Sequence, residues 1–173
     1  MLSPFLQVGK ILNVHGVNGE LKFEHWCDSP TVLSKLSCLY WDAAGQEPVG
    51  LLSCRAHGRF LLLKLEGIRD PETARLYKNR VLYASRQDLP LAPGRVFIQD
   101  LIGLPLIDQD NARTLGTIRE VVDRGAGHLY LVKLCDGREE YFPAVKEFIC
   151  RVDLEKGVFV RVPKGLFDKG GEA

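Results

Sequence analysis

Short runs of strand-forming residues, each closed by a turn signal, dominate the first half of this chain. Six such runs are predicted, at residues 5–12, 21–26, 38–41, 49–56, 60–65 and 81–84. Asn18-Gly19 is a strong tight-turn pair, because both residues accept a positive φ at low cost. Six strands in so short a segment would expose edges unless the sheet closed on itself, so we predict a small closed β-barrel.

Two short helices are predicted within this barrel. Ser29-Pro30 and Asp70-Pro71 each place a capping side chain before a proline, and proline suits the first helical position. The two tryptophans, Trp26 and Trp41, are expected in the barrel core rather than on a base-stacking surface.

The second half is again rich in strand signals. They fall at residues 104–108, 115–122, 129–134, 139–142 and 158–162. Asp136-Gly137 predicts a two-residue hairpin, and residues 143–148 could form one helical turn. The sequence therefore predicts an all-β protein made of two small domains.

A proline-rich segment, residues 89–94, is the predicted linker between these domains. Pro90, Pro93 and Gly94 interrupt regular pairing and stiffen the chain. The predicted domains are residues 1–88 and 95–170.

Charge and composition limit the classes of partner. Lys plus Arg total 23 and Asp plus Glu total 22, so the net charge is only +1. A protein that holds bare RNA mainly through phosphates carries a clear positive excess, so any RNA contact here should be local or shared with a protein. Without an apolar run of membrane-spanning length or a secretory signal, we expect a cytoplasmic protein with no membrane contact.

Motifs that would indicate catalysis, cofactors or metals are missing from the sequence. There is no phosphate-binding glycine loop, no dinucleotide-binding fingerprint and no nucleophile elbow. His25, Cys27 and Cys38 could supply soft zinc ligands, but no Cys-x-x-Cys pair accompanies them. The five cysteines fit reduced thiols better than a disulfide framework. We therefore predict no catalytic residue, no cofactor and no metal site, and we do not expect an enzyme.

Three residues of the first domain are candidate RNA contacts. His15 either touches RNA beside a glycine-containing loop or is a turn residue that hydrogen-bonds to the backbone. Arg55 and Arg59 form a small basic loop with His57, which could meet a phosphate or could be a solvated hairpin tip. The sequence leaves both pairs of alternatives open.

Several strings in a fixed order carry a family resemblance. They are residues 8–11 (VGKI), 15–20 (HGVNGE), 69–74 (RDPETA), 88–90 (DLP), 100–103 (DLIG), 115–116 (LG), 142–145 (FPAV), 152–154 (VDL) and 165–166 (GL). Together they span about residue 6 to residue 167, and the chain resembles the ribosome maturation factor RimM family.

This resemblance implies a translation-factor-like N-terminal barrel followed by a PRC-barrel domain. It also implies a non-catalytic factor that assists maturation of the small-subunit head and processing of its rRNA. The partners it implies are the small ribosomal subunit, a head ribosomal protein of the S-nineteen family and nearby rRNA. No cofactor is implied, and a monomer is expected.

The resemblance places the protein contact at the start of the second domain. Val96, Phe97 and Asp100 are the predicted partner-binding residues, with Val96-Phe97 standing where the family often has two adjacent aromatic residues. Two other functions stay open at this point, namely a barrel enzyme acting on rRNA or flavin and a stand-alone RNA-binding barrel.

Overall fold

The protein is built almost entirely from β-strands. The computed structural model describes residues 2–27, 29–91, 95–125 and 127–168. Strands account for 47% and helices for 11%, which confirms the predicted all-β fold class. By its contacts the chain divides into two compact units, residues 1–92 and residues 93–173.

Six antiparallel strands form a closed barrel in the first unit. They are β1 (Phe5–His15), β2 (Glu20–His25), β3 (Cys38–Tyr40), β4 (Pro48–His57), β5 (Phe60–Leu65) and β6 (Val81–Ser85). Their order is β1-β2-β5-β4-β3-β6, and the barrel closes because β1 pairs with both β2 and β6. The closed barrel predicted from the strand signals is confirmed.

Alternation along β5 fills the interior of this barrel. Leu61, Leu63 and Leu65 are at most 2% exposed, and the fully buried Phe23 of β2 lies opposite Leu61. Burying each such side chain contributes about 1.5–3 kcal/mol. Because side chains alternate along a strand, the intervening residues Leu62 and Lys64 lie on the outer face.

The two predicted helices are present, and both begin at the predicted proline. α1 (Pro30–Ser34) is capped by Ser29, whose Oγ accepts the Thr31 N–H at 3.3 Å. α2 (Pro71–Arg75) is capped by Asp70, whose Oδ1 accepts the Thr73 N–H at 2.8 Å. A short 3-10 helix, Arg86–Asp88, follows β6.

The expectation that both tryptophans lie in the core is wrong. Trp26 is 43% exposed, just beyond the end of β2. Trp41 is half-buried and stacks on Tyr77 instead of pointing into the barrel interior. Leucines and Phe23 occupy the interior, and neither tryptophan is among the buried side chains.

The second unit contains a six-stranded sheet. Its elements are α3 (Ile98–Leu101), β7 (Pro105–Asp108), β8 (Thr114–Asp123), β9 (His128–Leu134), β10 (Glu139–Ala144), β11 (Ile149–Asp153) and β12 (Gly157–Val160). The order is β10-β9-β8-β7-β12-β11, with β12 and β7 parallel and the other pairs antiparallel. Its own apolar core centres on Phe142, Ile118 and Val132, each fully buried.

Three local features of the second unit differ from the predictions. Pro143 and Ala144 extend β10, so the helical turn predicted over residues 143–148 is reduced to a turn that starts at Val145. Proline is tolerated there because β10 lies at the end of the sheet. Strand β11 and helix α3 were not predicted.

The predicted hairpin between β9 and β10 is present with a longer loop. Leu134 and Arg138 close the loop through a backbone hydrogen bond of 2.8 Å, which leaves three residues between them. Gly137 has φ +91°, as the left-handed position of a three-residue hairpin requires.

The predicted linker starts inside the first unit. Leu89 is only 7% exposed, whereas Leu91 is 40% exposed. Residues 92–94, the remainder of the predicted linker, lie outside the described residues.

Candidate functional site

The turn between β1 and β2 packs closely against the start of α2. Gly19 has φ +71°, and a Cβ at this position would lie 2.8 Å from the Asp70 backbone nitrogen. Gly16, in the same turn, has φ +64° with open space around it. Position 19 therefore requires glycine both for its left-handed conformation and for the absence of a side chain. Through this contact the residue 15–20 string packs against the residue 69–74 string.

An ion pair stands on the outer face of the barrel beside this turn. Arg55 donates from Nε to Glu20 Oε1 at 3.1 Å and from Nη2 to Oε2 at 2.9 Å. The hydrogen bond from Arg55 lowers the pKa of the Glu20 carboxyl although burial opposes it, and Glu20 raises the pKa of Arg55. Both groups stay charged, and Arg55 is held in one orientation.

Both imidazoles near the turn lie against each other. The rings of His15 and His57 have centroids 5.1 Å apart, and His15 pairs with Glu20 in the β1–β2 register. The structure thus brings His15 and Arg55, two of the three candidate RNA contacts, to one end of the barrel face.

The third candidate, Arg59, lies in the neighbouring turn. Its guanidinium is 4.8 Å from the centre of the Phe60 ring, and Lys22 Nζ is 4.3 Å from the same ring. Lys22 and Arg55 both pair in register with Leu62, so they lie on the same outer face. Leu62 is fully buried there, as expected when long cationic side chains cover an aliphatic residue.

We call this surface the outer-face cluster. It consists of His15, Glu20, Lys22, Arg55, His57, Arg59, Phe60 and Lys64, the last of which also lowers the pKa of Glu20. Four cations surround one carboxylate and one aromatic ring, a composition suited to phosphate oxygens and to a nucleobase.

The predicted protein-binding residues lie together at the start of the second unit. Val96 packs against the core of this unit, while Phe97 and Asp100 are half-buried. Phe97 immediately precedes α3, and Ile102, just after α3, is 47% exposed. This short segment offers a partly apolar surface with one carboxylate.

The described residues show neither a metal-binding group nor a membrane-spanning helix. No three His, Cys, Asp or Glu side chains are grouped so that they could hold a metal ion within that part of the chain. Among the same residues, no helix has the length and apolar composition needed to cross a bilayer.

One cavity, of about 420 Å³, lies beside the β1–β2 turn. Its lining residues are Asn18, Leu52, Lys64, Leu65, Glu66, Gly67, Ile68 and Arg69. A carboxylate and two cations share it with aliphatic side chains, but it includes no histidine, cysteine, serine or threonine.

Comparison with known proteins assigns both units. The RimM N-terminal domain matches residues 6–89, and the RimM PRC barrel domain matches residues 98–166. A ribosome maturation factor RimM from Ruminiclostridium cellulolyticum is 33% identical over 170 residues, covering 96% of this chain and all of that protein. The chain belongs to the RimM family. This membership confirms the resemblance and the class of both barrels.

Other RimM proteins are similar along most of their length. The ribosome maturation factor RimM from Clostridium botulinum strain Langeland is 35% identical over 156 residues, 89% of this chain and 91% of that protein. A crystal structure of RimM from Pseudomonas aeruginosa is 29% identical, covers 92% of this chain and 98% of its own, and has a TM-score of 0.45.

Several contacts of the outer-face cluster are not predictable from the sequence. The sequence indicates no site role for Glu20, Lys22 or Phe60. Their proximity depends on the pairing of β2 with β5, which are distant in sequence, and on the hairpin formed by β4 and β5. Alternation within each strand would have placed Lys22 and Arg55 outward, but not beside one another.

Proposed function

We propose that this chain is a non-catalytic ribosome maturation factor that assists late maturation of the small-subunit head and processing of its rRNA. The observation that carries the proposal is the match of nearly the whole chain to proteins named ribosome maturation factors. The proposal also places the protein in the cytoplasm, where subunits are assembled. It further holds that the protein is a monomer, and gel filtration can test this oligomeric state.

The outer-face cluster supports an RNA contact by the first unit. Within the part of the chain the structure describes, neither Lys22 nor Arg59 has a carboxylate partner, and both lie against Phe60. Arg55 already donates to Glu20, so it holds position while Lys22 and Arg59 meet phosphate. A near-neutral protein can bind RNA in this way only locally, which fits a contact made alongside a protein partner.

The segment at Val96, Phe97 and Asp100 supports a protein contact by the second unit. Phe97 is a half-buried aromatic residue in the same short segment as the exposed Ile102, and aromatic residues are enriched in protein interfaces. We propose that its partner is a head ribosomal protein of the S-nineteen family.

Co-sedimentation with ribosomal particles tests the proposal. The full chain should sediment with immature small subunits and much less with mature ones. A Lys22→Gln, Arg59→Gln double variant should bind the immature particles several-fold more weakly, and Lys156→Gln, at an exposed turn of the second unit, serves as the control. Equal binding to both particles, or none, would contradict the proposed function.

The two rival functions predict different results. A barrel enzyme acting on rRNA or flavin would bind S-adenosylmethionine or flavin in a direct titration. A stand-alone RNA-binding barrel would bind naked rRNA tightly without particles and lose affinity steeply as salt increases.

A further inference from the structure

A second aromatic and cationic site lies on the first unit, away from the outer-face cluster. Trp41, directly after β3, stacks on Tyr77, just beyond α2, with ring centroids 4.6 Å apart and planes 24° apart. The Arg80 guanidinium lies over both rings, 4.9 Å from the centre of the Trp41 ring and 5.8 Å from the centre of the Tyr77 ring. We call Trp41, Tyr77 and Arg80 the Trp41 platform.

Backbone hydrogen bonds hold the platform in place. The Trp41 N–H donates to the Glu47 carbonyl at 2.9 Å, and the Arg80 N–H donates to the Tyr77 carbonyl at 3.1 Å. The Asp42 carboxylate accepts the Ala44 and Glu47 N–H groups at 2.8 and 2.7 Å, which orders the loop after Trp41. A ligand would therefore meet preorganised rings, and little conformational entropy would be lost on binding.

The Tyr77 side of the platform is positively charged, whereas the loop after Trp41 carries Asp42 and Glu47. Residues 75–80 contain Arg75, Lys78 and Arg80 and no acidic residue, and all three cations are exposed. Among the residues that the structure describes, Arg80 forms only a loose ion pair, 4.0 Å from Glu47, with both side chains well exposed. Such an exposed pair contributes little, so Arg80 can exchange Glu47 for a phosphate at low cost.

The geometry differs from that of ordinary aromatic packing in the same unit. Phe5 and Tyr40 meet edge to face, with an interplanar angle of 64°, so they share no flat surface. Trp41 and Tyr77 are nearly parallel and only half-buried, so part of the stack stays open to solvent.

The dipole of α2 does not explain the position of Arg80. A helix dipole stabilises cations in the last turn of the helix, but Arg80 lies five residues beyond the end of α2.

We propose that the Trp41 platform binds one unpaired RNA nucleotide, with the base stacking on the Trp41–Tyr77 pair and its phosphate contacting Arg80. Parallel aromatic rings accept any base, and a neighbouring arginine adds charge attraction to the backbone. The inference rests on the proposed function only in that the RNA is precursor rRNA. It gives the first unit a second RNA contact besides the outer-face cluster.

Tryptophan fluorescence can test the site directly, because the chain has only two tryptophans. The full-length Trp26→Phe variant leaves Trp41 as the single reporter. Titration with single-stranded oligoadenylate of ten nucleotides should quench its emission to saturation. A duplex RNA of equal length and inorganic polyphosphate should quench it little, since neither offers an unpaired base.

Variants in the Trp26→Phe background assign the residues. Arg80→Gln and Tyr77→Leu should each weaken oligoadenylate binding about tenfold. Lys35→Gln, an exposed cation at the end of α1, is the charge control and should bind as the parent does. The melting temperature of every variant is measured first. If Tyr77→Leu melts at a lower temperature than its parent, the site is tested by comparing the oligoadenylate affinities of Arg80→Gln and Arg80→Lys.

Each outcome either supports or overturns the site. Absent quenching, equal quenching by polyphosphate, or unchanged binding by Arg80→Gln would overturn it. So would loss of head-protein binding in Arg80→Gln with RNA binding intact, because the platform would then be a protein contact. If oligoadenylate does not bind but the chain still co-sediments with immature subunits, only the Trp41 platform is disproved. If oligoadenylate quenches Trp41 but the chain does not sediment selectively with immature subunits, the proposed maturation function is disproved instead.

Discussion

At the scale of single residues, a comparison of two glycines in one turn can distinguish the cost of backbone strain from the cost of steric contact. Gly16 and Gly19 both have positive φ, but only at Gly19 would a Cβ meet backbone atoms, those of residues 68–70. Gly16→Ala should lower the free energy of unfolding by about 1–2 kcal/mol, the cost of the left-handed conformation. Gly19→Ala should lower it by roughly twice as much, because the backbone of residues 68–70 must also shift.

Chemical denaturation of both variants measures this difference. Equal losses would mean that the backbone before α2 yields easily and that Gly19 is required for its φ alone. The close approach of Gly19 to residues 68–70 would then not explain why the residue 15–20 string and the residue 69–74 string occur in the same chain.

The Glu20–Arg55 pair should make the stability of the first unit depend on pH. The folded pKa of Glu20 is lowered by Arg55, so its contribution is fully present above the unfolded pKa of about 4.3 and is lost as the pH falls through the folded pKa. Glu20→Gln should therefore melt earlier than the parent at pH 7, and the difference should shrink in acid.

Thermal melts at several pH values and salt concentrations test this prediction. The difference should also decrease in high salt, because the Arg55 side chain is 54% exposed. Glu155→Gln, at an exposed turn of the second unit, should show no such pH-dependent difference. A gap between Glu20→Gln and the parent that persists unchanged in strong acid would contradict the ionic explanation.

At the scale of elements, local chemistry made the helix starts and most strands predictable. Ser29-Pro30 and Asp70-Pro71 encode a cap and a first turn in adjacent residues, and both helices begin there. β11 lacked such a signal because its Ile149–Asp153 segment alternates polar and apolar residues only imperfectly. Pro143 argued for a break, yet it is accepted in β10 because that strand has a neighbour on one side only.

The segment that begins the second unit carries the next prediction. Phe97 is half-buried before the four-residue helix α3, so its truncation should weaken binding to the head ribosomal protein about thirtyfold, or about 2 kcal/mol. The melting temperature should change little, because a core phenylalanine would cost about 3–5 kcal/mol and Phe97 is not fully buried.

Binding and melting should be measured on the same Phe97→Ala protein. Tyr141→Ala is the matched control, since Tyr141 is an aromatic residue of the same unit that is 46% exposed on β10. A collapsed melting temperature would assign Phe97 to the core, and unchanged binding would exclude it as an anchor.

At the scale of the whole molecule, the sequence predicted two β units but not which surfaces their strands create. Closure of the first barrel could be inferred from strand number, since open edges are costly. Contacts such as His15 with His57 and Trp41 with Tyr77 join residues more than thirty positions apart. They depend on strand order and register, which no local pattern encodes. Candidate residues could thus be proposed singly, and only the fold groups them into sites.

The division into two units leads to the last prediction, which concerns the connecting segment. We propose that each unit folds by itself, because each has its own apolar core and the segment between them carries a 40% exposed Leu91 and an exposed Arg95. Chymotrypsin should cut after Leu91 and trypsin after Arg95, well before either cuts within the strands. Arg55, exposed but hydrogen-bonded within β4, is the internal control and should resist trypsin. Mass spectrometry should find two fragments that meet near residues 91–95, and each purified fragment should melt cooperatively. If cutting there unfolds both halves together, the units depend on each other and the two-domain organisation is wrong.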